Sequence, residues 1–432
     1  MQRLIMILSV CWLMIVPQAM QAQEQEFVCP EGEAAVTIAA GAVGIELQLT
    51  RDGAARYMEL CPNITVNVLE MPDLTDDRLN LYFQFLEARS SELDIYQIDV
   101  IWPALVADYM IDLYDYASPE LLESYFPAIV ENNTVDDRLI AMPWYTDAGL
   151  LYYRSDLLEK YELQPPTTWD ELENAAEIIQ AGERNAGNED FWGYIWQGNA
   201  YEGLTCDALE WQVSHGGGVI VNAEGEIEVN NPGFIAALER ARGWIGTISP
   251  EDVLYFAEED GIDVFKAGNA AFMRNWPNAY IISNQDDSAV KDLFDVSPLP
   301  GTDDGPSAAT LGGWQLAVSR YSSNPDVAAS VTLFLTAEAE QKIRAIEGAY
   351  NPTIMSLYED EEVLEAVPFF GSLLDVFTGA VARPSTVTRD RYNGVSELYY
   401  LAVYSVLTGE ADATEAMSNL ETDINDLLKF GF

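Results

Sequence analysis

The sequence predicts an α/β fold divided into two lobes. Segments with strand patterns alternate with segments of helical spacing along most of the 432 residues, which is typical of a mostly parallel sheet covered by helices. A chain of this length exceeds what one hydrophobic core usually holds, yet it contains no Ser/Gly-rich linker. Two lobes joined by short crossing strands satisfy both observations. The Pro-containing strand ends at 139–149 and 294–301 are the candidate crossings.

The first elements follow one another in a regular order. Residues 35–41 predict a strand that runs into a glycine turn, and 47–60 predict a helix that stops before a Cys-Pro pair. The alternating segment 64–71 predicts a second strand, 76–89 a second helix and 93–102 a third strand. This order indicates a parallel layer at the start of the chain.

Helices dominate the later part of the chain. A helix is predicted over 167–184, opened by a capping box in which Thr168 is followed three residues later by Glu171. Another helix is predicted over 324–348, where it ends in a glycine, and the last forty residues again show helical spacing.

The N-terminus predicts export. Arg3 precedes an apolar run from Leu4 to Val16, and small residues up to Ala22 offer a cleavage site, so 1–22 is expected to be a signal peptide. The run is shorter than the ~20 residues that a membrane-spanning helix needs. Cys11 loosely resembles a lipoprotein cleavage position, but we favour a cleaved, soluble product in the periplasm or at the cell surface.

Three cysteines remain after this cleavage, in an oxidising compartment. Cys29 and Cys61 flank the first predicted strand and helix and are the expected disulfide pair. Cys206 lies in a helical pattern and is interpreted as a small buried hydrophobic residue rather than a reactive thiol.

The charge excludes whole classes of partner. Lys and Arg number 21 while Asp and Glu number 71, which gives a net charge of −50. A nucleic acid or an anionic membrane surface would therefore be repelled. The acidity itself indicates a solvated surface, and it says little about the fold.

Motifs for most catalytic chemistry are missing from the sequence. The single histidine, His215, is followed by three glycines and not by a nucleophile motif, and no P-loop or dinucleotide fingerprint occurs. Zinc sites lack ligands and no EF-hand loop is found, so neither a metal nor a cofactor is expected. An exported glycosidase stays open at this point, because its two carboxylates are defined by their separation in space.

Aromatic residues are concentrated at the predicted strand ends, beside Pro or Gly. They have polar neighbours, and ligands of α/β sheets bind outside the carboxyl ends of strands. Aromatic faces with carboxylates suit sugars, whose ring faces are apolar and whose hydroxyls donate to carboxylates. The aromatic residues are Trp102, Trp144, Tyr145, Trp276 and Trp314, and the polar neighbours are Asp99, Asp147 and Asn275.

Four stretches carry a resemblance to a known family. They are YTDAGLLYYRSDLLEKY, FWGYIWQGNAYEGLTCDALEW, GNAAFMRNWPNAY and SAATLGGWQLAVSRYSSN, with weaker matches at GAVGIELQL, QIDVIW and ARPS. With these stretches the chain resembles the extracellular solute-binding proteins of ABC-type sugar importers (family 1), in particular the trehalose- and maltose-binding members. The resemblance implies a two-lobed, maltose-binding-protein-like (type II) periplasmic-binding fold with a hinge between the lobes.

The resemblance also implies the lobe boundaries and the partners. Lobe 1 would comprise 27–145 and 298–349, and lobe 2 would comprise 146–297 and 350–432. The protein would be a monomer without enzymatic activity that delivers an α-linked glucose disaccharide to a membrane permease. Hinge closure around the ligand is an established behaviour of periplasmic binding proteins.

The family's ligand-binding positions carry over residue by residue. Glu46 would accept from a sugar hydroxyl, and Asp99 and Asp147 would grip glucose hydroxyls from the two lobes. Tyr145 and Trp276 would form the cleft wall. The complete set implied is Glu46, Arg78, Asp99, Tyr145, Asp147, Tyr201, Glu202, Trp276, Gly312, Gly313, Trp314 and Arg383, in which the Gly-Gly-Trp turn approaches the sugar and Arg383 closes the site.

The sequence also departs from the family in one respect. After Glu46 the trehalose binders tend to be aromatic, where this chain has Leu47, Gln48 and Leu49. Sucrose, glucosylglycerol or another glucoside therefore stays open as the ligand, as does a polyol or a peptide.

Overall fold

The computed structural model describes residues 28–303 and 305–430. The predicted signal peptide, 1–22, lies outside the described residues. The strands are β1 (Ala34–Ala40), β2 (Ile64–Glu70), β3 (Ile95–Asp99), β4 (Thr134–Val135), β5 (Arg138–Leu139), β6 (Ala141–Ala148), β7 (Leu150–Tyr153), β8 (Trp192–Ile195), β9 (Ala270–Asn275), β10 (Asp295–Ser297), β11 (Leu311–Val318) and β12 (Asn351–Pro352).

Helices cover the two larger sheets that these strands form, while β4 and β5 make a separate two-stranded sheet. They are α1 (Glu46–Leu60), α2 (Thr75–Glu87), α3 (Pro103–Val106), α4 (Pro119–Leu122), α5 (Pro127–Asn132), α6 (Ser155–Lys160), α7 (Trp169–Asn185), α8 (Glu202–Ser214), α9 (Pro232–Trp244), α10 (Glu258–Lys266), α11 (Ala279–Ser283), α12 (Pro325–Thr336), α13 (Glu338–Gly348), α14 (Glu361–Ala366), α15 (Phe369–Ser372), α16 (Leu374–Thr378), α17 (Ser385–Thr388), α18 (Tyr392–Leu407) and α19 (Ala413–Phe430). Within the described ranges, none of them combines the length and apolar character that a membrane span requires.

Two separate sheets build the two lobes. The first has the strand order β12-β6-β11-β3-β1-β2, with β1 parallel to β2 and β3 and with β11 antiparallel to β3 and β6. The second has the order β10-β7-β9-β8. The two-lobed α/β architecture predicted from the sequence is therefore confirmed.

The chain first crosses between the sheets at Gly149, between β6 and β7. A side chain at Gly149 would meet Arg274 Nη2 at 2.7 Å as well as Glu210, so only glycine fits this crossing. β6 continues to Ala148, which places Asp147 in the first sheet. The expectation that Asp99 and Asp147 come from different lobes is therefore wrong, because β3 and β6 both flank β11.

The return crossings lie further along the chain. β10 belongs to the second sheet and β11 to the first, so the chain crosses back between 297 and 311. β12 still pairs with β6, just beyond the expected lobe 1 boundary at 349. After that, α18 packs on α8 and α9 beside the second sheet.

Local signals account for several element ends. The capping box at α7 forms as predicted, with Thr168 accepting from the Glu171 backbone while the Glu171 side chain accepts from the Thr168 backbone. The single helix expected over 324–348 is instead two helices. Ala337 adopts an extended conformation that ends α12, which packs on β11 and β6, before α13 begins.

A disulfide stabilises the start of the described chain, and tryptophan packing stabilises the second lobe. Cys29 and Cys61 form a disulfide with a Cα–Cα distance of 5.6 Å, which ties the start of the described chain to the end of α1. Cys206 is a buried free thiol in α8. In the second lobe, Trp211 of α8 lies with its ring centroid 5.0 Å from that of Trp196. This packing fixes α8, whose first residue enters the space between the lobes.

Candidate functional site

A cleft lies between the two lobes. All the residues carried over from the family resemblance line it except Tyr201. The lining residues are Val43, Glu46, Asp73, Thr75, Arg78, Asp99, Tyr145, Asp147, Glu202, Gly203, Cys206, Glu258, Trp276, Asn278, Gly312, Gly313, Trp314, Tyr350 and Arg383.

The register of the first sheet sets one wall of the cleft. Trp314 of β11 lies opposite Asp99 on one side and Tyr145 on the other, so these three residues form a row across the sheet. Gly313 has φ +121°, and a side chain there would come within 2.5 Å of the Tyr145 carbonyl oxygen. Only glycine therefore allows β11 to approach β6 so closely.

Glu46 begins α1 and lies on the floor of the cleft, where it is buried. One of its oxygens accepts hydrogen bonds from the Gln97 amide and from the Tyr145 hydroxyl. The Gln97 side chain is itself oriented by the Gly41 backbone amide, which donates to Gln97 Oε1 at 2.8 Å. Gln97 is thus a supporting residue that sequence reasoning missed, because an amide inside a buried strand has no distinctive pattern.

Arg78 of α2 is 1% exposed and stacks on a predicted ligand-contacting ring. Its guanidinium carbon lies 4.3 Å from the centroid of Trp314, and its Nε donates to the Pro72 carbonyl oxygen at 2.9 Å. The Trp314 ring also meets Trp102 edge-on, with a centroid distance of 5.6 Å. One face of Trp314 is therefore covered by protein, which leaves the other face and the free edges for a ligand.

Arg383 joins two carboxylates of different lobes. It donates through Nη1 to Glu202 at 2.7 Å and through Nη2 to Asp99 at 3.0 Å. Glu202 also accepts from the Ser396 hydroxyl at 2.6 Å and from the Tyr392 hydroxyl. Burial raises the pKa of both carboxyl groups, and the Arg383 cation opposes this rise. The arrangement links the end of β3 to the start of α8.

Asp147 differs from these paired carboxylates. It is 8% exposed, and no group within the described ranges donates a hydrogen bond to its carboxylate or forms an ion pair with it. Burial, together with the charges of Glu46 and Asp99, raises the pKa of Asp147 to about 8. A buried polar group without a partner is costly, so this side chain is available for a ligand.

Trp276 follows β9 and forms the opposite wall. Its indole Nε1 donates to Glu258 at 3.3 Å, and the Arg274 guanidinium lies 4.0 Å from its ring centroid. Arg274 is held in turn by Asp207 and Glu210, at 2.9 Å and 2.5 Å. The guanidinium group of this buried ion triad therefore covers one face of the Trp276 indole.

Gly312 brings the two walls close together. A side chain at Gly312 would lie 3.1 Å from the Trp276 ring and 3.2 Å from the Asp147 Cβ. The indole and the free carboxylate are thus neighbours across this glycine. The motif Gly312-Gly313-Trp314 was expected to form a turn, and this is wrong: it lies inside strand β11, where both glycines allow close approach of their neighbours.

Tyr201 lies behind the cleft rather than in its lining. It is the residue before α8, and its ring packs on the backbone of Gly203. Burial, with the Glu258 carboxylate as a further cause, raises the pKa of the Tyr201 phenol well above its usual range. Tyr201 therefore supports the lining residues and does not reach the cleft itself.

Several lining residues were missed by sequence reasoning. Tyr350 stacks obliquely on Tyr145, with a centroid distance of 4.8 Å, and its hydroxyl donates to the Val43 carbonyl oxygen at 3.4 Å. No motif marked Tyr350, which only the end of α13 brings to the cleft. Asn278 lies in a stretch that carried the family resemblance, so that signal was available. The other missed residues are Val43, Asp73, Thr75, Gly203, Cys206 and Glu258.

The cysteine within α8 and the histidine at its end are not arranged as a nucleophile and its base. Burial raises the pKa of the Cys206 thiol, which keeps it in its unreactive protonated form. His215 lies at the far end of α8, where its Nδ1 contacts the Trp211 carbonyl oxygen at 2.8 Å. Among the described residues, no group of three or more His, Cys, Asp or Glu side chains is placed to hold a metal ion.

Comparisons with known proteins agree with this arrangement. A family model described as bacterial extracellular solute-binding protein matches residues 45–342. The chain is 50% identical over 387 residues to a probable ABC transporter-binding protein of Deinococcus radiodurans, which covers 89% of this chain and 92% of that protein.

A solved structure and a second relative extend the comparison. The structure of maltose-bound MalE3 of T. maritima matches with a TM-score of 0.87 and 37% sequence identity. The match covers 91% of this chain and 100% of the MalE3 chain. The mannitol-binding protein of Pseudomonas aeruginosa is 26% identical over 266 residues, which is 59% of this chain and 58% of that protein. The two-lobed fold and the family resemblance are both confirmed, and the chain belongs to the family of bacterial extracellular solute-binding proteins.

Proposed function

We propose that this protein is the exported sugar-binding component of an ABC importer and that it binds an α-linked glucose disaccharide, trehalose or maltose. The observation that carries the proposal is the pairing of a free buried carboxylate, Asp147, with the Trp276 indole across Gly312. A pyranose offers hydroxyls to a carboxylate and an apolar face to a ring, and so matches both groups at once. The maltose bound to the related T. maritima protein supports the same ligand class.

The proposed roles follow from the contacts of each side chain. Asp147 would accept from sugar hydroxyls, because it has no donor among the described residues. Glu46 would accept through the oxygen that Gln97 and Tyr145 leave free. Trp276 would stack on the sugar through the face that Arg274 does not cover.

Closure and delivery complete the proposed cycle. Lobe 1 is proposed to comprise 27–145 and 298–349, and lobe 2 to comprise 146–297 and 350–432. Asp147 and β12 are moved to lobe 1, because both belong to the first sheet. The sugar would bind to one lobe and the other would swing in, and Arg383 would link Asp99 to Glu202 in the closed form. We propose that the protein acts outside the cytoplasm as a monomer without enzymatic activity. In its closed form it would dock on the membrane permease.

A second ligand class has its own support. The relative from Pseudomonas aeruginosa is a mannitol-binding protein, and this chain has Leu47 where trehalose binders tend to be aromatic. A polyol, or another glucoside such as sucrose or glucosylglycerol, is therefore the alternative ligand.

Titration calorimetry of the mature protein would test these ligands directly, with trehalose, maltose, sucrose, glucosylglycerol and mannitol as probes. We expect binding of trehalose or maltose at micromolar concentration or tighter, with the sugar recovered intact afterwards. Tight binding of mannitol alone would favour the polyol alternative. The absence of binding by all five would contradict the proposed sugar-binding function, and release of glucose would favour a glycosidase.

A further inference from the structure

Carboxylates outnumber cations along the cleft. The lining contains six carboxylate side chains but only two guanidinium groups, those of Arg78 and Arg383. The carboxylates are those of Glu46, Asp73, Asp99, Asp147, Glu202 and Glu258. A neutral sugar therefore enters a site in which carboxyl groups outnumber guanidinium groups by six to two.

Both cations of the lining are already engaged by the protein. Arg383 is shared between Asp99 and Glu202. Arg78 lies over Trp314, and its guanidinium converges with the Glu46 carboxylate on Gly41, where an added Cβ would lie 2.7 Å from Arg78 Nη2 and also against Glu46. Neither cation forms an ion pair with Asp147 among the described residues.

Two further cations, Arg274 and Arg344, lie behind the walls. Arg274 is saturated by Asp207 and Glu210. Arg344 lies against aromatic rings, 4.0 Å from the Trp144 centroid and 4.8 Å from that of Tyr350. Neither forms an ion pair with Asp147 within the described part of the chain.

Asp147 is consequently a buried carboxyl group without an ion-pair partner among the described residues, and a cationic group on a ligand would allow it to ionise. Its neighbour across Gly312 is the Trp276 indole. A carboxylate beside an aromatic face is the environment that an ammonium group prefers, since it combines an ion pair with a cation–π contact. A buried charge without a partner is costly. A ligand whose ammonium group pairs with Asp147 removes this cost and therefore gains affinity.

We propose that the cleft selects glycosides by charge, with Asp147 as the specificity-determining residue. A glycoside carrying an ammonium group binds more tightly than its neutral counterpart, whereas one carrying a phosphate or a carboxylate is rejected. This inference rests on the proposed sugar-binding function. It adds the class of amino sugar glycosides to the ligands of the same cleft.

The test is calorimetry of the mature protein with matched ligands on one scaffold. The probes are trehalose, its positional monoamino analogues at a pH where the amine is protonated, and trehalose 6-phosphate, with the equivalent maltose series in parallel. We expect at least one amino isomer to bind about tenfold or more tighter than the neutral sugar, and the phosphate to bind about a hundredfold more weakly.

Asp147→Asn identifies the residue responsible, because it keeps the shape and cannot ionise beside a cationic ligand. The ratio of amino to neutral affinity should fall to about one in this variant. Asp263→Asn is the matched control. Asp263 is exposed on α10 outside the cleft, and its substitution replaces the same type of carboxyl group by an amide. The control should keep the ratio of the unaltered protein.

Each other outcome overturns the inference in a distinguishable way. If neutral sugars bind and no amino isomer binds more tightly, charge selection is wrong while the proposed function stands. A ratio that survives Asp147→Asn removes Asp147 from the role of specificity determinant. If no sugar of either series binds, both the inference and the proposed function fail.

Discussion

The Arg383 guanidinium donates to the Asp99 carboxylate at 3.0 Å, which joins the segment before α17 to the end of β3. The same cation donates to Glu202 at 2.7 Å, at the start of α8 in the other lobe. Removing one member of a buried ion network leaves the others without compensation. Arg383 should therefore control how readily the two lobes stay closed.

Replacement of Arg383 by Met should weaken sugar binding by about tenfold or more and shift the free protein toward an open form. The reason is that Asp99 and Glu202 would face each other without their shared cation. Calorimetry would measure the affinity, and small-angle X-ray scattering would measure the change in radius of gyration.

Arg389 provides the matched control for Arg383. Its guanidinium pairs with Asp136 at 2.9 Å, with both side chains more than half exposed at 53% and 68%. Exposed pairs contribute little, so Arg389→Met should change affinity by less than about threefold. Equal losses in the two variants would contradict a special role for the buried network.

Trp276→Ala should reduce sugar affinity by about tenfold or more, because stacking on the indole would be lost. Trp192→Ala is the control, since Trp192 also carries a guanidinium on its ring, that of Arg184 at 4.3 Å, but does not line the cleft. Calorimetry and a thermal melt of both variants separate binding from stability. An unchanged affinity for Trp276→Ala would remove the indole from the proposed binding site.

Gly313→Ala should destabilise the fold by roughly 2 kcal/mol or more, because a side chain is strained at φ +121° and would contact the Tyr145 carbonyl oxygen. Gly243→Ala is the opposite case. Gly243 lies in α9 with nothing within 4 Å of an added Cβ, so alanine should stabilise it by about 0.5–1 kcal/mol. Thermal melts would measure both, and a melting temperature of Gly313→Ala at or above that of the unaltered protein would contradict the structural role of this glycine.

Titration of Asp147 should make the stability of the folded protein depend on pH. Burial first, and then the charges of Glu46 and Asp99, raise its pKa from 3.8 to about 8. The folded protein thus holds a proton that the unfolded chain releases, so this group's contribution to stability is present at low pH. It is lost as the pH rises from about 4 toward 8, by at most about 1.4 kcal/mol per pH unit.

Thermal melts of Asp147→Asn and the unaltered protein across this interval would isolate that contribution. The melting temperature of the unaltered protein should fall more steeply with rising pH than that of Asp147→Asn. Asp263→Asn should follow the unaltered protein, which controls for the overall negative charge. Parallel curves for all three proteins would show that Asp147 titrates in its ordinary range.

Much of the fold was predictable because local patterns decide it. The alternation of the first strands and the Thr168–Glu171 capping box both depend on neighbours in sequence. Where the local pattern was ambiguous, prediction failed. The stretch 324–348 has continuous helical spacing, yet the extended conformation of Ala337 divides it so that each half can pack on a different surface.

By itself, the sequence determined the α/β class, the excess of carboxylates, and the aromatic residues beside Pro and Gly from which a sugar site was inferred. Only the tertiary structure decided how those carboxylates are partnered. Arg383 lies 284 residues from Asp99 and 181 from Glu202, and it forms an ion pair with both. Asp147 is left without a cation. Ion pairing and burial depend on separation in space, which only the packing of the two lobes determines.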